Sequence, residues 1–361
     1  MICNTLVQSA GSSSMSKTFT YKWNLSDLKE VEKNNLKVFS CFACGGGSTM
    51  GYKMSGFDVI GCNEIDPEMI QIYKENHNPK YAFLESIETF KLRNDLPKEL
   101  FELDILDGSP PCSSFSMAGS REKAWGKKKV FREGQAEQVL DDLFFHYIDL
   151  AKRLHPKVVV AENVKGMLQG NAKGYVKQII NLFNVVGYDV QLFLLNGATM
   201  GLPQARERVF FICRRKDLNW PDLKLGFHEK PIPVSQLEMC RVGSDALSTK
   251  QSAIWDWCFR HNEKCGGKAH ASLYGRRLMF NTVKCRPSEP SPTITAGCNL
   301  LHWSEKRTLS TKEVVQISSF PYDYKFKSAN LAKYQMGMSV PPLMMHKISQ
   351  QIYKQWFKNV S

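Results

Sequence analysis

Residues 36–64 read Leu36-Lys-Val-Phe-Ser-Cys-Phe-Ala-Cys-Gly-Gly-Gly-Ser-Thr-Met-Gly51, then Tyr-Lys-Met-Ser-Gly-Phe57-Asp-Val-Ile-Gly-Cys62-Asn-Glu64. Two apolar runs flank a turn with three consecutive glycines, which lets the backbone turn tightly and approach a ligand at the start of the next helix. Glu64 ends the second run about 20 residues after the glycines, where an acidic side chain meets ribose hydroxyls in nucleotide-binding βαβ units. The stretch therefore predicts an α/β fold with a nucleotide-like ligand at this turn.

The alternation of apolar strands and amphipathic helices continues to about residue 215. Further strands are predicted at 81–87, 103–106, 157–161, 188–195 and 209–213, and helices at 67–76 and 139–154. The strand ends carry the glycine-rich turn, then Glu64, Cys112 and Glu162 in chain order. Because open α/β sheets bind ligands outside the carboxyl ends of their strands, we expect these groups to share one crevice.

The cysteine at the third of these strand ends lies in the stretch Asp107-Gly-Ser-Pro-Pro-Cys112-Ser-Ser-Phe-Ser116. The two prolines fix two φ angles, so the thiol of Cys112 is presented by a stiffened backbone. An inert buried cysteine in a proline-rich turn fits this stretch equally well. Glu162 interrupts the apolar run Val-Val-Val-Ala, which favours a functional carboxylate over a capping or salt-bridged one.

A basic pattern follows in Gln204-Ala-Arg206-Glu207-Arg208. In an extended segment Gln204, Arg206 and Arg208 share one face. Two guanidiniums on one face suit recognition of a carboxylate, a phosphate or a base edge. The alternative is a surface ion-pair cluster that includes Glu207.

The formal net charge is +13 over 361 residues, which is unusual for a protein acting on small neutral molecules. It suits a polyanionic partner, nucleic acid first and an acidic membrane surface second. The basic segment 116–138 is predicted to be either a flap over a phosphate backbone or a solvated charged loop. No apolar run reaches the ~18 residues of a membrane span, and no signal pattern begins the chain. Eleven scattered cysteines predict free thiols in a reducing compartment.

Beyond residue 216 the strand–helix alternation stops, and prolines, aromatics and basic residues become frequent. We predict a smaller, irregular or β domain there, followed by a helix at 311–320 and a terminal amphipathic helix. Cys258, His261, Cys265 and His270 match no common zinc spacing, so no metal is expected.

One reaction uses all these groups together: methylation of carbon 5 of cytosine. That carbon becomes nucleophilic when a thiolate adds to carbon 6, and a carboxyl group at ring nitrogen 3 promotes the addition. An arginine on the exocyclic oxygen would stabilise the developing charge. The methyl donor is a sulfonium whose adenosine needs a glycine-rich turn and a ribose-binding acid. The target base must leave the duplex to reach the thiol.

The ordered motifs resemble those of the DNA (cytosine-5)-methyltransferases over residues 36–347. The matching segments are Phe42-Ala-Cys-Gly-Gly-Gly47, Glu64, Pro111-Cys112 with Phe115-Ser116, Glu162-Asn163-Val164, Gln204-x-Arg206-x-Arg208, Thr293-Ile294-Thr295 and Gly337-Met-Ser-Val340. The resemblance implies a Rossmann-like S-adenosylmethionine-dependent methyltransferase sheet with helices on both faces. It also implies a smaller irregular or β target-recognition domain.

The same resemblance implies individual roles. Cys112 is implied as the nucleophile, Glu162 as the group at ring nitrogen 3, and Arg208, supported by Arg206, as the contact to the base oxygen. S-adenosylmethionine, with S-adenosylhomocysteine as product, is implied to bind at Phe42, Ala43, Gly45, Gly46, Gly47, Glu64, Ile65, Ser86, Ile87, Pro111, Ser339 and Val340. DNA contacts are implied for Ser113, Ser116, Gln204 and Thr293.

Four positions depart from the family pattern. Ser40 and Ser86 stand where aspartates are usual, and Cys44 and Met338 replace a glycine and an asparagine. Each change removes an expected hydrogen bond worth ~1 kcal/mol, so we expect weakened but real cofactor binding. Glu85 is a candidate replacement carboxylate, although a strand neighbour should point to the opposite face.

The implied function is methyl transfer to a specific double-stranded DNA sequence, by base flipping and a covalent Cys112 adduct. Two alternatives stay open: the same chemistry on tRNA, and a catalytically silent DNA-binding paralogue. The tRNA-modifying branch usually carries a Cys-Phe-Thr signature, which this sequence lacks. The silent alternative draws on the departures near the cofactor, against the intact nucleophile and carboxylate.

The expected organisation is an N-terminal extension (1–35), a catalytic and cofactor-binding domain (36–215), a target-recognition domain (216–300) and a C-terminal segment returning to the catalytic domain (301–361). Double-stranded DNA is the expected partner, and a cognate restriction endonuclease is a further candidate. We expect a monomer in the cytoplasm of a bacterial or phage system, associated with the nucleoid, neither secreted nor membrane-bound. The target DNA sequence does not follow from the chain.

Overall fold

The computed structural model describes residues 17–111, 128–129, 138–139, 142–170, 172–279 and 281–358. Cys112, Ser113 and Ser116 lie outside these ranges, as does most of the basic segment 116–138. Within that segment, residues 128–129 and 138–139 form a short antiparallel strand pair. The roles predicted for the three side chains therefore stay predictions.

A seven-stranded sheet forms the centre of the fold. Its strands are β1 (Lys37–Cys41), β2 (Asp58–Glu64), β3 (Tyr81–Leu84), β4 (Ile105–Gly108), β5 (Val158–Val164), β6 (Tyr188–Asn196) and β7 (Glu207–Arg215). In space their order is β3-β2-β1-β4-β5-β7-β6. Strands β1 to β5 pair in parallel, whereas β7 runs antiparallel to both of its neighbours.

Helices cover both faces of this sheet, and two further helices in region 216–300 form a small cluster of their own. They are α1 (Gly47–Met54), α2 (Pro67–His77), α3 (Ile87–Phe90), α4 (Leu143–Leu154), α5 (Ala172–Val185), α6 (Thr249–Arg260), α7 (Gly266–Tyr274), α8 (Thr311–Ile317), α9 (Ala329–Met338) and α10 (Pro342–Ile352). Side chains of α1, α8 and α10 contribute to the core on one face, and those of α3, α4 and α5 to the core on the other.

Strand β5 shows why the sheet is covered on both sides. Successive residues of a strand point to opposite faces, and Val158 and Val160 enter one core while Val159 and Ala161 enter the other. A strand that is apolar on both faces must be buried on both, as in parallel α/β sheets. The uninterrupted apolar run in the sequence is thus a direct consequence of the central position of β5.

Most predicted elements are present with shifted ends. The helix predicted at 139–154 begins only at Leu143. The helix predicted at 311–320 ends at Ile317, and α9 then precedes the terminal α10. Region 216–300 is irregular, as predicted, but its longest elements are the helices α6 and α7, so the β alternative was wrong. Strands in this region are only two residues long.

None of the helices in the described part of the chain combines the length and the apolar character that a bilayer crossing requires.

A buried tyrosine on α4 ties together the strands that lead to Cys112 and Glu162. The hydroxyl of Tyr147 lies 3.0 Å from the carbonyl oxygen of Leu106 in β4 and 2.9 Å from that of Val160 in β5. The side chain has no exposed surface. A Cβ atom added at Gly108 would lie 2.7 Å from its ring, so the glycine leaves room for this contact.

We predict that Tyr147→Phe lowers the free energy of unfolding by about 1–2 kcal/mol, because buried carbonyls lose a donor. Denaturant unfolding of the two proteins measures the difference. Tyr81→Phe is the matched control, since the Tyr81 hydroxyl bonds the carboxylate of Glu99 near the surface, and its loss should cost less. Equal losses in the two variants would contradict the bridging role of Tyr147.

Candidate active site

Parallel pairing brings the polar strand ends to one edge of the sheet. Cys41 of β1 pairs with Gly108 of β4, and Gly108 in turn pairs with Ala161 of β5. β1 and β4 end at Cys41 and Gly108, so the residues that follow them leave the sheet at the level of Glu162, which is still part of β5. That edge carries the glycine-rich turn, the proline–cysteine stretch and Glu162, with Glu64 at the end of neighbouring β2.

The glycine-rich turn has an unusual backbone. Phe42 and Cys44 have φ angles of 51° and 49°, and Gly46, at the N-cap of α1, has a φ of 87°. A Cβ atom on Gly47 would lie 2.2 Å from the carbonyl oxygen of Val340. Glycine is therefore required at 47 by the close approach of the C-terminal segment. This contact places Val340 beside the turn, as the motif pattern predicts.

The C-terminal segment also binds the turn through hydrogen bonds. The carbonyl oxygen of Gly45 accepts from Gln335 Nε2 at 3.0 Å and from the hydroxyl of Tyr324. Gln335 Oε1 and Ser339 Oγ are buried without a hydrogen-bond partner in the described part of the chain. Buried polar atoms rarely stay unpaired, so these two are candidates to bind a polar ligand. Sequence reasoning missed Gln335 and Tyr324, because neither lies at a strand end.

Glu64 joins the end of β2 to the turn. Its Oε2 accepts from the backbone N–H of Cys44 at 2.6 Å, and its Oε1 accepts from those of Ile65 and Asp66 at 2.9 Å. Burial raises the pKa of Glu64 to about 7, against these stabilising hydrogen bonds. A ligand that changes the surroundings of this carboxyl group can therefore make it take up or release a proton near neutral pH.

The end of β3 provides the remaining residues predicted on the cofactor side. Ser86 caps α3 by accepting from the backbone N–H of Thr89 at 3.3 Å, and Ile87 is buried in the first turn. Glu85 forms an ion pair with Arg93 at 2.8 Å. The suggestion that Glu85 replaces the missing aspartate stays a prediction, and its carboxylate already has Arg93 as a partner.

Glu162 and Arg208 form a shielded ion pair at the ends of β5 and β7. Arg208 Nε lies 3.0 Å from Glu162 Oε1, and both side chains are about 90 % buried (10 % and 13 % exposed). Burial lowers the pKa of Arg208, although the neighbouring carboxylate acts in the opposite direction. The pairing of Phe210 with Glu162 in the antiparallel ladder sets this distance. A carboxylate and a guanidinium are thus held together at the edge where the proline–cysteine stretch begins.

Asn163 fixes that stretch next to Glu162. Its Nδ2 donates to the carbonyl oxygen of Pro110 at 3.0 Å, and its Oδ1 accepts from the backbone N–H of Val164 at 2.8 Å. Pro110 is two residues before Cys112. Asn163 belongs to the matching segment Glu162-Asn163-Val164, but no role was predicted for its side chain. The contact limits how far the start of the Cys112 stretch can move from Glu162.

Arg206 links three segments of the chain. Its Nη1 donates to the carbonyl oxygen of Ile294 at 3.0 Å, and its Nη2 donates to those of Ser339 at 3.0 Å and Gly337 at 3.1 Å. The side chain is only 2 % exposed. Backbone carbonyls therefore engage both Nη atoms, while the buried Nε has no hydrogen-bond partner in the described part of the chain. The supporting role of Arg206 in catalysis stays a prediction. Any effect of Arg206 on the base would act through its neighbours.

Gln204 and Thr293 also act within the protein. Gln204 has no exposed surface; its Oε1 accepts from the N–H of Ile294 and its Nε2 donates to the carbonyl oxygen of Ile317. Thr293 Oγ1 donates to the carbonyl oxygen of Ala205 at 2.9 Å. Gln204 offers no surface to a ligand in this structure, which corrects the prediction of a direct DNA contact. The shared face predicted for Gln204 and the arginines is a buried one.

Among the described residues, no group of three or more His, Cys, Asp or Glu side chains is arranged to hold a metal ion.

A family model and several curated relatives match most of this chain. The family model for C-5 cytosine-specific DNA methylase matches residues 36–354. Type II methyltransferase M.FnuDI of Fusobacterium nucleatum is 29% identical over 350 residues, covering 88% of this chain and 94% of that protein. Type II methyltransferase M.NgoPII of Neisseria gonorrhoeae is 28% identical over 355 residues, covering 89% and 96%.

Solved structures share the fold. A protein described as a DNA modification methyltransferase encoded within an E. coli prophage superposes with a TM-score of 0.64 at 21% identity, over 89% of this chain and 99% of that one. At this identity the likeness concerns the fold. The family match, in contrast, spans most of the sequence and includes every strand of the central sheet and the helices that cover it. The chain therefore belongs to the C-5 cytosine-specific DNA methylases.

Proposed function

We propose that this protein transfers a methyl group from S-adenosylmethionine to carbon 5 of a cytosine in a specific double-stranded DNA sequence. The observation that carries the proposal is the ion pair of Glu162 and Arg208, held at 3.0 Å beside the anchored start of the Cys112 stretch. Family membership supports the reaction type, and the names of the curated Type II relatives support DNA as substrate.

The residues around the glycine-rich turn fit S-adenosylmethionine. When bound, this molecule supplies an electrophilic methyl group on a sulfonium. Glu64 would accept hydrogen bonds from ribose hydroxyls, and the unpaired Ser339 Oγ is a further polar contact. Half-buried Phe42, Ile65 and Pro111 would supply the apolar walls of the site. The departures at Cys44, Ser86 and Met338 lie around the same site, so we propose real but weakened binding.

Cys112 and Glu162 would activate the cytosine ring. The Cys112 thiolate would add to carbon 6 while Glu162, with its carboxyl group protonated, donates a hydrogen bond or its proton to ring nitrogen 3, which turns carbon 5 into a nucleophile. Carbon 5 would then take the methyl group that the bound cofactor supplies, with S-adenosylhomocysteine as the leaving group. Return of the proton from nitrogen 3 to Glu162, loss of the carbon 5 proton to solvent and elimination of the thiolate would restore the aromatic ring and the free cysteine.

Arg208 would stabilise the base oxygen during this step. Its guanidinium is already fixed next to Glu162, so little reorganisation is needed when charge develops on the ring. The cytosine has to leave the DNA stack to reach this edge of the sheet, and the net charge of +13 favours binding of the phosphate backbone. We propose that residues 216–300 recognise the target sequence, with Ser113, Ser116 and Thr293 near the DNA.

Two alternatives predict different results in the same assays. Parallel methylation of duplex DNA and tRNA separates the DNA enzyme from an RNA enzyme with the same chemistry. A silent DNA-binding protein would bind duplex DNA in a salt-sensitive way without methylating it. Bisulfite sequencing of a plasmid from cells that express the protein would reveal the target sequence directly.

We further propose that the protein is a monomer in a bacterial cytoplasm, with a cognate endonuclease as partner.

We predict that Cys112→Ala abolishes methyl transfer and leaves duplex binding within about 3-fold, because only the covalent bond to carbon 6 is lost. Duplex DNA containing 5-fluorocytosine should trap a covalent adduct with the wild type, visible by denaturing gel electrophoresis. The matched control Cys240→Ala changes a half-buried cysteine in region 216–300 and should still form the adduct. Methylation by the Cys112 variant would refute the nucleophile.

We predict that Glu162→Gln slows adduct formation by about 10²–10⁴-fold, because the ring loses its general acid. Binding of S-adenosylmethionine, measured by calorimetry, should change little. Glu207→Gln serves as control, since Glu207 forms a more exposed ion pair with Lys165 at 2.8 Å. Losses of similar size in adduct formation and cofactor binding would indicate a purely structural Glu162.

We predict that S-adenosylmethionine binds more weakly as the pH falls below about 7, because burial raises the pKa of unliganded Glu64 to about 7. Ribose hydroxyls donate to the ionised form, so binding lowers this pKa and releases a proton. The affinity should fall by up to ~10-fold per pH unit below the free-state value. Calorimetric titrations with S-adenosylmethionine from about pH 5.5 to about 8 measure this pH dependence of the affinity.

In Glu64→Gln the same titrations should give a weaker affinity that no longer depends on pH in this range. A wild-type affinity that is constant across the range would contradict the ribose-binding role of Glu64. No uptake of S-adenosylmethionine at millimolar concentration would overturn the proposed cofactor itself.

A further inference from the structure

Asp107, at the end of β4, carries a buried carboxylate that the proposed reaction does not use. The residue is 2 % exposed. Among the described residues no lysine, arginine or histidine lies within ion-pairing distance of it. Its oxygens instead accept from three hydroxyl groups, those of Ser40 at 2.8 Å, Ser48 at 2.7 Å and Tyr52 at 3.2 Å. A carboxylate enclosed by neutral donors is costly to bury, and it calls for an explanation.

The three donors lie on the two elements that flank the glycine-rich turn. Ser40 is in β1, just before the turn, and it is the direct register partner of Asp107. Ser48 and Tyr52 are in the first and second turns of α1. One carboxylate therefore holds both the strand that enters the turn and the helix that leaves it.

The N-cap of helix α1 contributes no side-chain hydrogen bond at this end, because Gly46 has no side chain. A negative charge near a helix N-terminus interacts favourably with the helix dipole. The carboxylate of Asp107 thus provides, through Ser48, an anchor that the N-cap residue cannot provide.

We propose that Asp107 is a positioning residue for the turn 42–47, and that it supplies from β4 the carboxylate that the family pattern places at residue 40 in β1. Within the register pair of Ser40 and Asp107, this chain has the hydroxyl on β1 and the carboxylate on β4. This inference rests on the proposed cofactor site at the turn. The departure at Ser40 differs from the other departures from the family pattern, because the negative charge next to the turn is still present on Asp107.

Swapping the side chains of Ser40 and Asp107, singly and together, tests the proposal. Asp107→Ser removes the carboxylate and should raise the dissociation constant of S-adenosylmethionine by about 10- to 100-fold, the loss expected for hydrogen bonds to a charged group. Ser40→Asp places two carboxylates side by side and should also weaken binding, since both cannot ionise at this distance. The double variant Ser40→Asp/Asp107→Ser restores one carboxylate among hydroxyls and should recover wild-type affinity to within about 3-fold.

Asp104 provides a matched control at the other end of β4. It is 7 % exposed and accepts from the N–H of Lys37 and from Lys157 Nζ, both at 2.8 Å. Asp104→Ser should lower the melting temperature without changing cofactor affinity. In Asp107→Ser, KM for S-adenosylmethionine should rise more than kcat falls. Asp107→Asn, which keeps the shape of the side chain, replaces Asp107→Ser if the latter does not fold.

Two results would overturn the proposal: a double variant that binds as weakly as the single variants, or an Asp104 variant that loses as much affinity as the Asp107 variant. Failure of the wild type to bind S-adenosylmethionine would instead refute the proposed function. In that case the melting temperatures of the wild type, the two single variants at 40 and 107 and the double variant still decide the inference. A melting temperature that recovers in the double variant requires that the carboxylate can hold the turn from either strand.

Discussion

The common register of parallel strands β2, β1, β4 and β5 is the constraint on which the rest of the site depends. It fixes Cys41, Gly108 and Ala161 at one level, so that the groups that follow them meet at one edge of the sheet. A shift by one residue would turn Glu162 to the opposite face of β5. The apolar side chains that fill both cores therefore set the chemistry as well as the stability of the fold.

The second determinant of the site is the return of the C-terminal segment. Gln335, Ser339 and Val340 come within contact of the glycine-rich turn, and Arg206 holds this segment through backbone carbonyls. The same arginine also binds Ile294. Because these bonds go to backbone atoms, this part of the anchoring does not depend on the side chains at 294, 337 and 339. The cofactor side of the site is thus assembled from pieces far apart in the sequence.

The sequence was informative where one local pattern sets the outcome. A glycine-rich turn or a glutamate at the end of an apolar run can be located from the local sequence alone. Glu64 ends β2 as predicted, whereas β5 continues past Glu162 to Val164. The alternation in 204–208 indicated which side chains share a face. Whether that face is open to solvent depends on what packs against it, so the burial of Gln204 and Arg206 was not predicted. Contacts between distant segments, such as Asn163 with Pro110, leave no periodic signal. In region 216–300, prolines and aromatics obscured the helices.

The close fit of Gly47 against Val340, described above, has a consequence for biosynthesis. The two residues are far apart in the sequence, so the turn cannot receive this contact before residue 340 has emerged from the ribosome. Domains whose contacts span such separations fold late and slowly. A nascent chain of this protein should therefore be unable to complete the turn before that stage of translation.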